Sequence, residues 1–311
     1  MREKNSGDAA DQLARRDAIE AISNRVLGWI GNRAEVATAI PHLTLYRFDS
    51  PTKPTSYLLE PSVCLILQGE KRVLLGTADC SYGIGEFLVT SVDLPLIAEI
   101  LKASPTEPYI GLTLKLDRNE IAQLILDQNY PSKEPSRQRP GIEVGPLTKP
   151  LFEAFQRLLE LLDEPENIPM LAPLIQKEIL FRLLKTESGA KIRQLAIAGD
   201  HTHRINRVIG WIKGNLSTRF RVEDLAGLAG MSVSTLHHQF RLLTTMSPLQ
   251  FQKRLRLNEA RQLMLTSQLD AATAAFQVGY ESPSQFTREY SRLFGNPPRR
   301  DIQGLLTAAG N

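Results

Sequence analysis

The sequence predicts an α+β protein: an N-terminal β-barrel or sandwich with flanking helices, followed by an all-α domain. From Thr38 to about Leu116, short apolar runs alternate with turn residues, as is typical of a small barrel or sandwich. Beyond about Ile192 the pattern is helix interrupted by short turns. Residues 201–300 carry a net charge of +8, whereas residues 1–200 carry −4. A basic block beside an acidic one indicates a module that contacts phosphates.

The bulk composition is that of a globular protein with two or three domains. Its 311 residues are 42% hydrophobic and 23% charged, and no run approaches eighteen apolar residues, which argues against a transmembrane helix. The polar N-terminus contains acidic residues and does not have the pattern of a secretory signal. Cys64 and Cys80 are the two cysteines and provide no disulfide framework. We therefore expect a cytoplasmic protein.

The first element is predicted to be a helix from about Asp11 to Arg33. Its apolar residues recur at spacings of three and four: Leu13, Ile19, Ile22, Val26 and Ile30. Strands are expected at residues 44–48, 62–67, 72–75, 86–89 and 110–116. Turn residues separate them at 68–70, 76–79 and 82–85. Residues 129–146 contain four prolines without an apolar period and are expected to form a loop.

Two amphipathic helices are predicted next, one from about Pro150 to Leu162 and one from about Met170 to Leu184. The expected apolar stripe of the second is Leu171, Leu174, Ile175, Ile179 and Leu183. Such helices either complete the core of their own domain or form an interface between two subunits. The polar stretch from Thr186 to Gly189 indicates a hinge. The predicted domains are an N-terminal helical segment (1–35), a barrel (36–146), linker or dimerisation helices (147–190) and an all-α domain (200–302).

A helix–turn–helix motif is predicted between residues 222 and 243. Ala226 and Ala229 are small enough to allow a close helix crossing, and Gly230 can adopt the positive φ that ends the first helix. Ser232 is placed to cap the second helix. That helix is anchored inward by Leu236 and Phe240, one turn apart. Its outward residues are then Ser234, Thr235, His237, His238 and Arg241.

The motif recurs fifty residues later. Residues 270–278 are predicted to form an alanine-rich helix, residues 279–282 the turn and residues 283–294 the second helix. Ser282 is its expected cap, and Pro283 occupies the first helical position, where its missing N–H costs nothing. Phe286, Tyr290 and Phe294 are expected to point inward. The first two correspond to the inward pair of the first motif, so the motif is an internal repeat.

A long helix is predicted to join the two motifs, from Ser247-Pro248 to about Leu265. We expect Arg254, Arg256 and Arg261 on its outer face, opposite the apolar residues Leu257, Ala260, Leu263 and Met264. At about 1.5 Å per residue the helix spans roughly 25 Å. A rod of this length could hold two recognition helices in successive major grooves on one face of a duplex, about 34–36 Å apart.

Residues 201–300 resemble the DNA-binding domain of the AraC/XylS family of bacterial transcription regulators. The likeness includes Leu293–Arg300, which is similar to the end signature of the family. Glu60–Val73 and Ser91–Pro95 resemble the cupin-like N-terminal domain of a subgroup of the same family. The resemblance implies a sequence-specific regulator whose cupin-like barrel senses a small-molecule effector. The family resemblance favours an activator, with promoter or operator DNA and RNA polymerase as partners. The two amphipathic helices after Pro150 make a second copy of the chain a further candidate partner, and we expect no cofactor.

The resemblance also implies roles for particular residues. The positions where the recognition helices of the family touch bases correspond to Ser234, His237, His238, Ser284, Gln285 and Arg288. Gln can bond adenine and Arg can bond guanine through two hydrogen bonds, so Gln285 and Arg288 are the expected sequence readers. Arg241, Arg254 and Arg292 are better placed for phosphates, which provide affinity without sequence information.

His238 departs from the family pattern, because many members carry Arg at this position. A protonated imidazole offers two donors and a charge, whereas a neutral one offers a single donor and an acceptor. We therefore expect DNA affinity to rise modestly below pH 6.5 if His237 and His238 contact DNA.

The barrel lacks the residues that cupin-like enzymes use. Their metal sites combine two closely spaced histidines, a carboxylate and a later histidine, but His42 is the only histidine in this region. The sequence shows no Ser/His/Asp set, phosphate-binding glycine loop or dinucleotide motif. We therefore expect no enzyme and no metal site, and the barrel mouth remains a place for a small molecule.

Neither cysteine is expected to be a sensor. Cys64 lies in an apolar run, where cysteine usually acts as a small buried hydrophobe, and Asp79 disfavours a reactive thiolate at Cys80. Two alternatives to an effector-controlled regulator stay open. One is a cupin enzyme whose basic tail merely associates with nucleic acid, and the other is an architectural DNA binder without effector control.

Overall fold

The computed structural model describes residues 2–76, 78–127, 140–193 and 201–309. The strands in these ranges are β1 (Glu35–Ala37), β2 (Leu43–Phe48), β3 (Thr55–Leu59), β4 (Ser62–Gln68), β5 (Glu70–Leu75), β6 (Ala78–Gly83), β7 (Glu86–Thr90), β8 (Leu94–Lys102), β9 (Tyr109–Lys115) and β10 (Ile142–Pro146). The helices of the N-terminal half are α1 (Arg2–Ile30), α2 (Arg118–Asp127), α3 (Lys149–Glu160), α4 (Ile168–Leu184) and α5 (Gly189–Arg193). Those of the C-terminal half are α6 (His201–Gly214), α7 (Val222–Ala229), α8 (Val233–Thr244), α9 (Pro248–Thr266), α10 (Ala271–Gln277), α11 (Pro283–Phe294) and α12 (Pro298–Ala309).

The strands form two antiparallel sheets that face each other. The larger sheet has the order β1-β2-β9-β4-β7-β10, and the smaller has the order β3-β8-β5-β6. The predicted β-domain is therefore an open two-sheet sandwich rather than a closed barrel. No helix within the described ranges is long and apolar enough to cross a membrane.

The larger sheet is buried on both faces, which explains why β4 is an uninterrupted apolar run. Val63, Leu65 and Leu67 point toward a layer of helices, whereas Cys64 and Ile66 point toward the smaller sheet. The helical layer consists of α1 to α5. It contributes residues that include Ile22, Val26, Ile121, Phe155, Ile179, Leu183 and Ile192.

Several expected loops and turns of this domain are strands. Residues 142–146, expected within a loop, form β10 and pair with β7, while residues 129–139 lie outside the described part. The expected turn residues at 78–79 and 82–83 lie in β6, which pairs with β5. The expected hinge is also wrong in part, because Ser188 and Gly189 are buried. In each case pairing or packing with distant residues overrides the local turn preference.

Helix α4 buries only part of the expected apolar stripe. Ile179 and Leu183 are buried as expected and Ile175 packs against the core, whereas Leu171 and Leu174 are exposed. Apolar residues lie on several sides of this helix, so periodicity alone could not identify the packed face. The apolar surface formed by Met170, Leu171 and Leu174 is left without cover in the described part of the chain.

The two helix–turn–helix motifs are confirmed, but they belong to different cores. The first motif shares one apolar cluster with the sandwich interior, which includes Val92, Leu94, Ile142, Ile209, Leu225, Leu236, Phe240 and Phe251. The second motif has its own cluster, which includes Leu257, Ala260, Ala275, Phe286 and Tyr290. Helix α9 contributes to both clusters and carries one motif at each end.

Polar contacts also join the first motif to the sandwich. The Gly141 N–H donates to the Leu243 carbonyl at 2.8 Å. On α6, the Lys213 Nζ lies 2.6 Å from Asp93 Oδ1 and 3.3 Å from Glu60 Oε1. Lys115 Nζ reaches the other oxygen of Glu60 at 2.7 Å. We refer to Glu60, Asp93, Lys115 and Lys213 as the junction cluster.

Candidate nucleic-acid interface

The turn of the first motif has the geometry that its sequence predicts. Gly230 ends α7 with a φ of +61°, and its carbonyl accepts a hydrogen bond from Arg204 Nη1 at 3.0 Å. Ser232 Oγ caps α8 by accepting the Thr235 N–H at 3.2 Å. Ala226 and Ala229 are buried at the crossing of the two helices. Helix α8 is therefore fixed at its start by both the turn and the cap.

Helix α8 is held from below by apolar contacts. Leu236 and Phe240 are fully buried, and the Phe240 ring meets Phe251 of α9 edge-on with ring centres 5.3 Å apart. The opposite side of α8 faces solvent. Ser234, His238 and Arg241 are exposed and His237 is partly exposed, as the sequence predicted.

Helix α11 is held by an aromatic stack and a buried ionic network. Phe286 and Tyr290 are fully buried, with ring centres 5.4 Å apart, and Tyr290 stacks on Phe294 at 4.4 Å. Tyr290 Oη donates to Asp301 Oδ2 at 2.7 Å, and Arg261 donates to both oxygens of Asp301 at 2.8 and 3.0 Å. Burial, together with the Asp301 hydrogen bond, raises the pKa of Tyr290, which keeps its hydroxyl a donor. This network fixes α11 on α9 and α12.

The outer face of α11 carries the remaining predicted contact residues. Ser284, Gln285, Arg288 and Arg292 are all exposed. The Ser282 cap is confirmed, since its Oγ accepts the Gln285 N–H at 3.3 Å. Eight of the nine predicted contact residues, all except Arg254, therefore lie on two helices that both pack against α9.

Glu289 is a neighbour of this face that sequence reasoning missed. Its carboxylate accepts from Lys253 Nζ at 2.7 Å, from Tyr280 Oη at 2.8 Å and from Gln285 Nε2 at 3.2 Å. Burial opposes ionisation, but these hydrogen bonds outweigh it and lower the pKa of Glu289. The contact orients the Gln285 amide and leaves its carbonyl and second N–H for another partner.

The expected outer arginine face of α9 is wrong. Arg256 donates to the carbonyls of Leu216 and Gly279 at 2.6 and 3.1 Å, and Arg261 belongs to the network beneath α11. Arg254 is partly buried, burial lowers its pKa, and its Nη1 is inaccessible without a hydrogen-bond partner among the described residues. Helix α9 packs against neighbours on several sides, and the long side chain of arginine can be buried along such contacts. The positions of the arginines therefore did not identify the solvent-facing side of α9.

Helix α9 and helix α11 also contact the sandwich at strand β3. The Asn258 amide donates to Ser56 Oγ at 3.3 Å across this contact. Among the described residues, no group of three His, Cys, Asp or Glu side chains is arranged to hold a metal ion.

Comparison with protein families matches both halves of the chain. Residues 39–191 match the family described as AraC-type transcriptional regulator N-terminus, and residues 225–303 match a helix-turn-helix domain family. The two matches cover β2 to β10 with α2 to α4 and part of α5, and both α8 and α11.

Curated relatives include transcription regulators of bacteria. The chain is 29% identical over 155 residues to the HTH-type transcriptional activator RhaS of Escherichia fergusonii, which is 49% of this chain and 55% of RhaS. It is 28% identical over 165 residues to the HTH-type transcriptional regulator ExsA of Pseudomonas aeruginosa, covering 53% and 59%. The chain thus spans little more than half the length of these relatives.

Solved structures of ToxT from Vibrio cholerae share the fold. ToxT bound to (E)-4-(8-methylnaphthalen-1-yl)but-3-enoic acid matches with a TM-score of 0.57 and 12% identity, over 87% of this chain and 98% of ToxT. ToxT with a bound unsaturated fatty acid matches with a TM-score of 0.54 and 11% identity, over 84% and 94%. At these identities the likeness concerns the arrangement of the elements in both halves.

Proposed function

Because the chain belongs to the AraC/XylS family of transcription regulators, we propose that it binds promoter DNA sequence-specifically, in the cytoplasm, under the control of a small-molecule effector. The observation that carries this proposal is the pair of helices α8 and α11. Each has a buried apolar side on the common helix α9 and an exposed polar side without a structural role in the core. The basic charge of this half provides the long-range attraction to phosphates.

The two recognition helices read bases at their N-terminal halves. On α8 the base contacts are Ser234, His237 and His238, and Arg241 binds phosphate. On α11 the base contacts are Ser284, Gln285 and Arg288, and Arg292 binds phosphate. Gln285 bonds an adenine through its free amide groups, and Arg288 bonds a guanine through its guanidinium fork. Arg254 has no part in this proposal, because it is partly buried and its Nη1 is inaccessible to solvent.

The proposal is tested by selecting a binding site from random duplexes and footprinting the full-length protein on it. Gln285→Ala and Arg288→Ala are each expected to cost about 1–3 kcal/mol and to relax selection at one base pair. Arg16→Ala is the matched control, because Arg16 is exposed on α1 and lies outside the recognition helices. Unchanged footprints with both α11 variants would refute the assignment of α11.

Sequence-specific regulation and architectural binding differ in their specificity ratio. A specific regulator is expected to prefer its site over bulk DNA by about 10³–10⁷ at equal salt. A ratio near one would favour the architectural alternative. Binding at pH 6 and pH 8, at fixed ionic strength, tests His237 and His238: a modest gain in affinity at the lower pH is expected and should be absent in the double variant His237→Gln, His238→Gln.

Activation and dimerisation complete the proposal. The similarity to the HTH-type transcriptional activator RhaS supports an activator, with RNA polymerase as partner. The uncovered apolar surface of Met170, Leu171 and Leu174 supports a subunit interface on α4. Sedimentation of the wild type against Leu174→Glu tests this interface, and a monomer in both cases would exclude it.

A further inference from the structure

The space between the two sheets contains a polar cluster around one lysine. Lys71 shares a face of β5 with Val73 and Leu75, which are fully buried, so its ammonium group points into the sandwich. The Lys71 Nζ donates to Tyr57 Oη at 3.1 Å and lies 5.4 Å from the centre of the Tyr57 ring. Further polar groups on the inner faces belong to Tyr46, Cys64, Tyr82, Tyr109 and Thr113. We call these residues, with Lys71 and Tyr57, the interior cluster.

Lys71 has no carboxylate partner in the described part of the chain. The next residue, Arg72, by contrast bonds both Asp79 and Glu99 on the outer face. The phenols of Tyr109 and Tyr82 are neutral, because burial raises the pKa of Tyr109 to about 12 and also raises that of Tyr82. A partly buried cation among neutral groups is less well solvated than one in water, and such charges are normally paired.

The interior cluster is not sealed from solvent. Tyr46, Tyr57, Lys71 and Thr113 are only partly buried, although they lie on the inner faces of the sheets. Gly111 has no side chain at the centre of the larger sheet, and a Cβ there would lie 2.4 Å from Tyr109 Oη. The missing side chain therefore makes space for a phenol hydroxyl that points into the interior.

We propose that the interior cluster binds a small organic acid, whose carboxylate pairs with Lys71. Tyr57 and Tyr109 supply hydroxyl donors for the carboxylate, and the apolar body of the acid lies between Tyr46 and Phe48. A neutral ligand would leave the ammonium charge uncompensated, and a cationic ligand would add repulsion. The inference rests on the proposed effector function and specifies the chemical class of the effector.

The test compares acids with their neutral amides on the full-length protein. The probes are benzoate and benzamide, 4-phenylbutyrate and 4-phenylbutyramide, and octanoate and octanamide, with affinities measured by calorimetry. At least one acid is expected to bind the wild type more than about tenfold more tightly than its amide. Lys71→Met is expected to remove this preference, while Arg72→Met, which changes the neighbouring outward charge, retains it.

Two further measurements keep the outcome unambiguous. Lys71→Met should raise the thermal midpoint of the ligand-free protein, because it removes an unpaired charge. Lys71→Gln should also lose the preference for acids. No preference in the wild type, a preference that survives both Lys71 variants, or a Lys71→Met protein that melts earlier would overturn the proposal. Acids that bind at Lys71 without changing affinity for DNA would leave this site in place and refute the effector role.

Discussion

The junction cluster allows a quantitative prediction about how the two halves are held together. Lys213→Met removes the cation that pairs with Asp93 at 2.6 Å and keeps most of the apolar side chain. The side chain of Asp93 is 10% exposed and that of Lys213 is 31% exposed. Hydrogen bonding to Asp93, with the charge of Glu60, outweighs burial and raises the pKa of Lys213, so the ion pair is intact at neutral pH.

The expected cost follows from this partial burial. Removing one partner of a buried ion pair costs about 3–5 kcal/mol, whereas an exposed pair contributes up to about 1 kcal/mol. Because Lys213 keeps nearly a third of its surface, solvent screens the pair, and we expect a loss of about 1–3 kcal/mol in the free energy of unfolding. Lys115→Met is the matched control. Lys115 also bonds Glu60 but is 54% exposed, so its loss should cost less than about 1 kcal/mol.

Urea unfolding followed by tryptophan fluorescence measures both variants. Trp211 lies on α6 close to Lys213, and Trp29 is the other tryptophan of the chain. A Trp29→Phe background therefore makes the signal specific to the junction side. Adding Asp93→Asn to Lys213→Met should recover part of the lost free energy of unfolding, because it removes the charge of the Asp93 carboxylate that Lys213 no longer pairs with. Equal costs for Lys213→Met and Lys115→Met, or no recovery, would refute this explanation of the junction.

Three further predictions concern other features. Asp301→Asn breaks the network beneath α11, and we expect a loss of about 3 kcal/mol, measured as faster hydrogen exchange of α11 amides with little change in α1. Gly279→Ala should destabilise more than Gly230→Ala in thermal melts, although both have positive φ. A Cβ added at Gly279 would lie 2.6 Å from the Cα of Ser217, whereas the nearest atom to a Cβ at Gly230 is 3.8 Å away. Gly230→Ala should therefore cost only about 1–2 kcal/mol, because of its left-handed backbone conformation. The hydrogen bond from Lys115 lowers the pKa of Glu60, so the stability contributed by its ionised form is complete above about pH 4.3 and is lost as the pH falls through the lowered value. In Glu60→Gln, the free energy of unfolding should therefore fall less steeply as the pH is lowered below about 4.3, as measured by urea unfolding at a series of pH values. The same steepness in the variant and the wild type would contradict this assignment.

Local signals in the sequence predicted the motifs well. Gly230, Ser232 and Ser282 act on residues next to them in the chain. Gly230 ends α7 and the two serines cap α8 and α11, as the sequence predicted. The inward aromatic residues of α11 follow the same rule, because helical spacing alone places Phe286 and Tyr290 on one face.

Features that depend on distant residues were not predicted from local patterns. Strand β10 exists because it pairs with β7, fifty residues earlier in the chain. The burial of Arg256 depends on carbonyl groups of two separate loops, and that of Arg261 depends on Asp301. Lys71 was not singled out as a site residue, because nothing in its local sequence distinguishes it from the solvent-facing Arg72.

The separation of the two apolar clusters in the C-terminal half has a consequence for engineering. The first motif shares its core with the sandwich, whereas residues 271–309 form a separate unit that meets the rest along α9 and, through α11, at β3. If the proposed function holds, exchanging this unit between family members should change one half of the recognised operator and leave the core of the sandwich intact. Transplanting the first motif in the same way would expose the sandwich interior, so new specificities are more easily built from the C-terminal end.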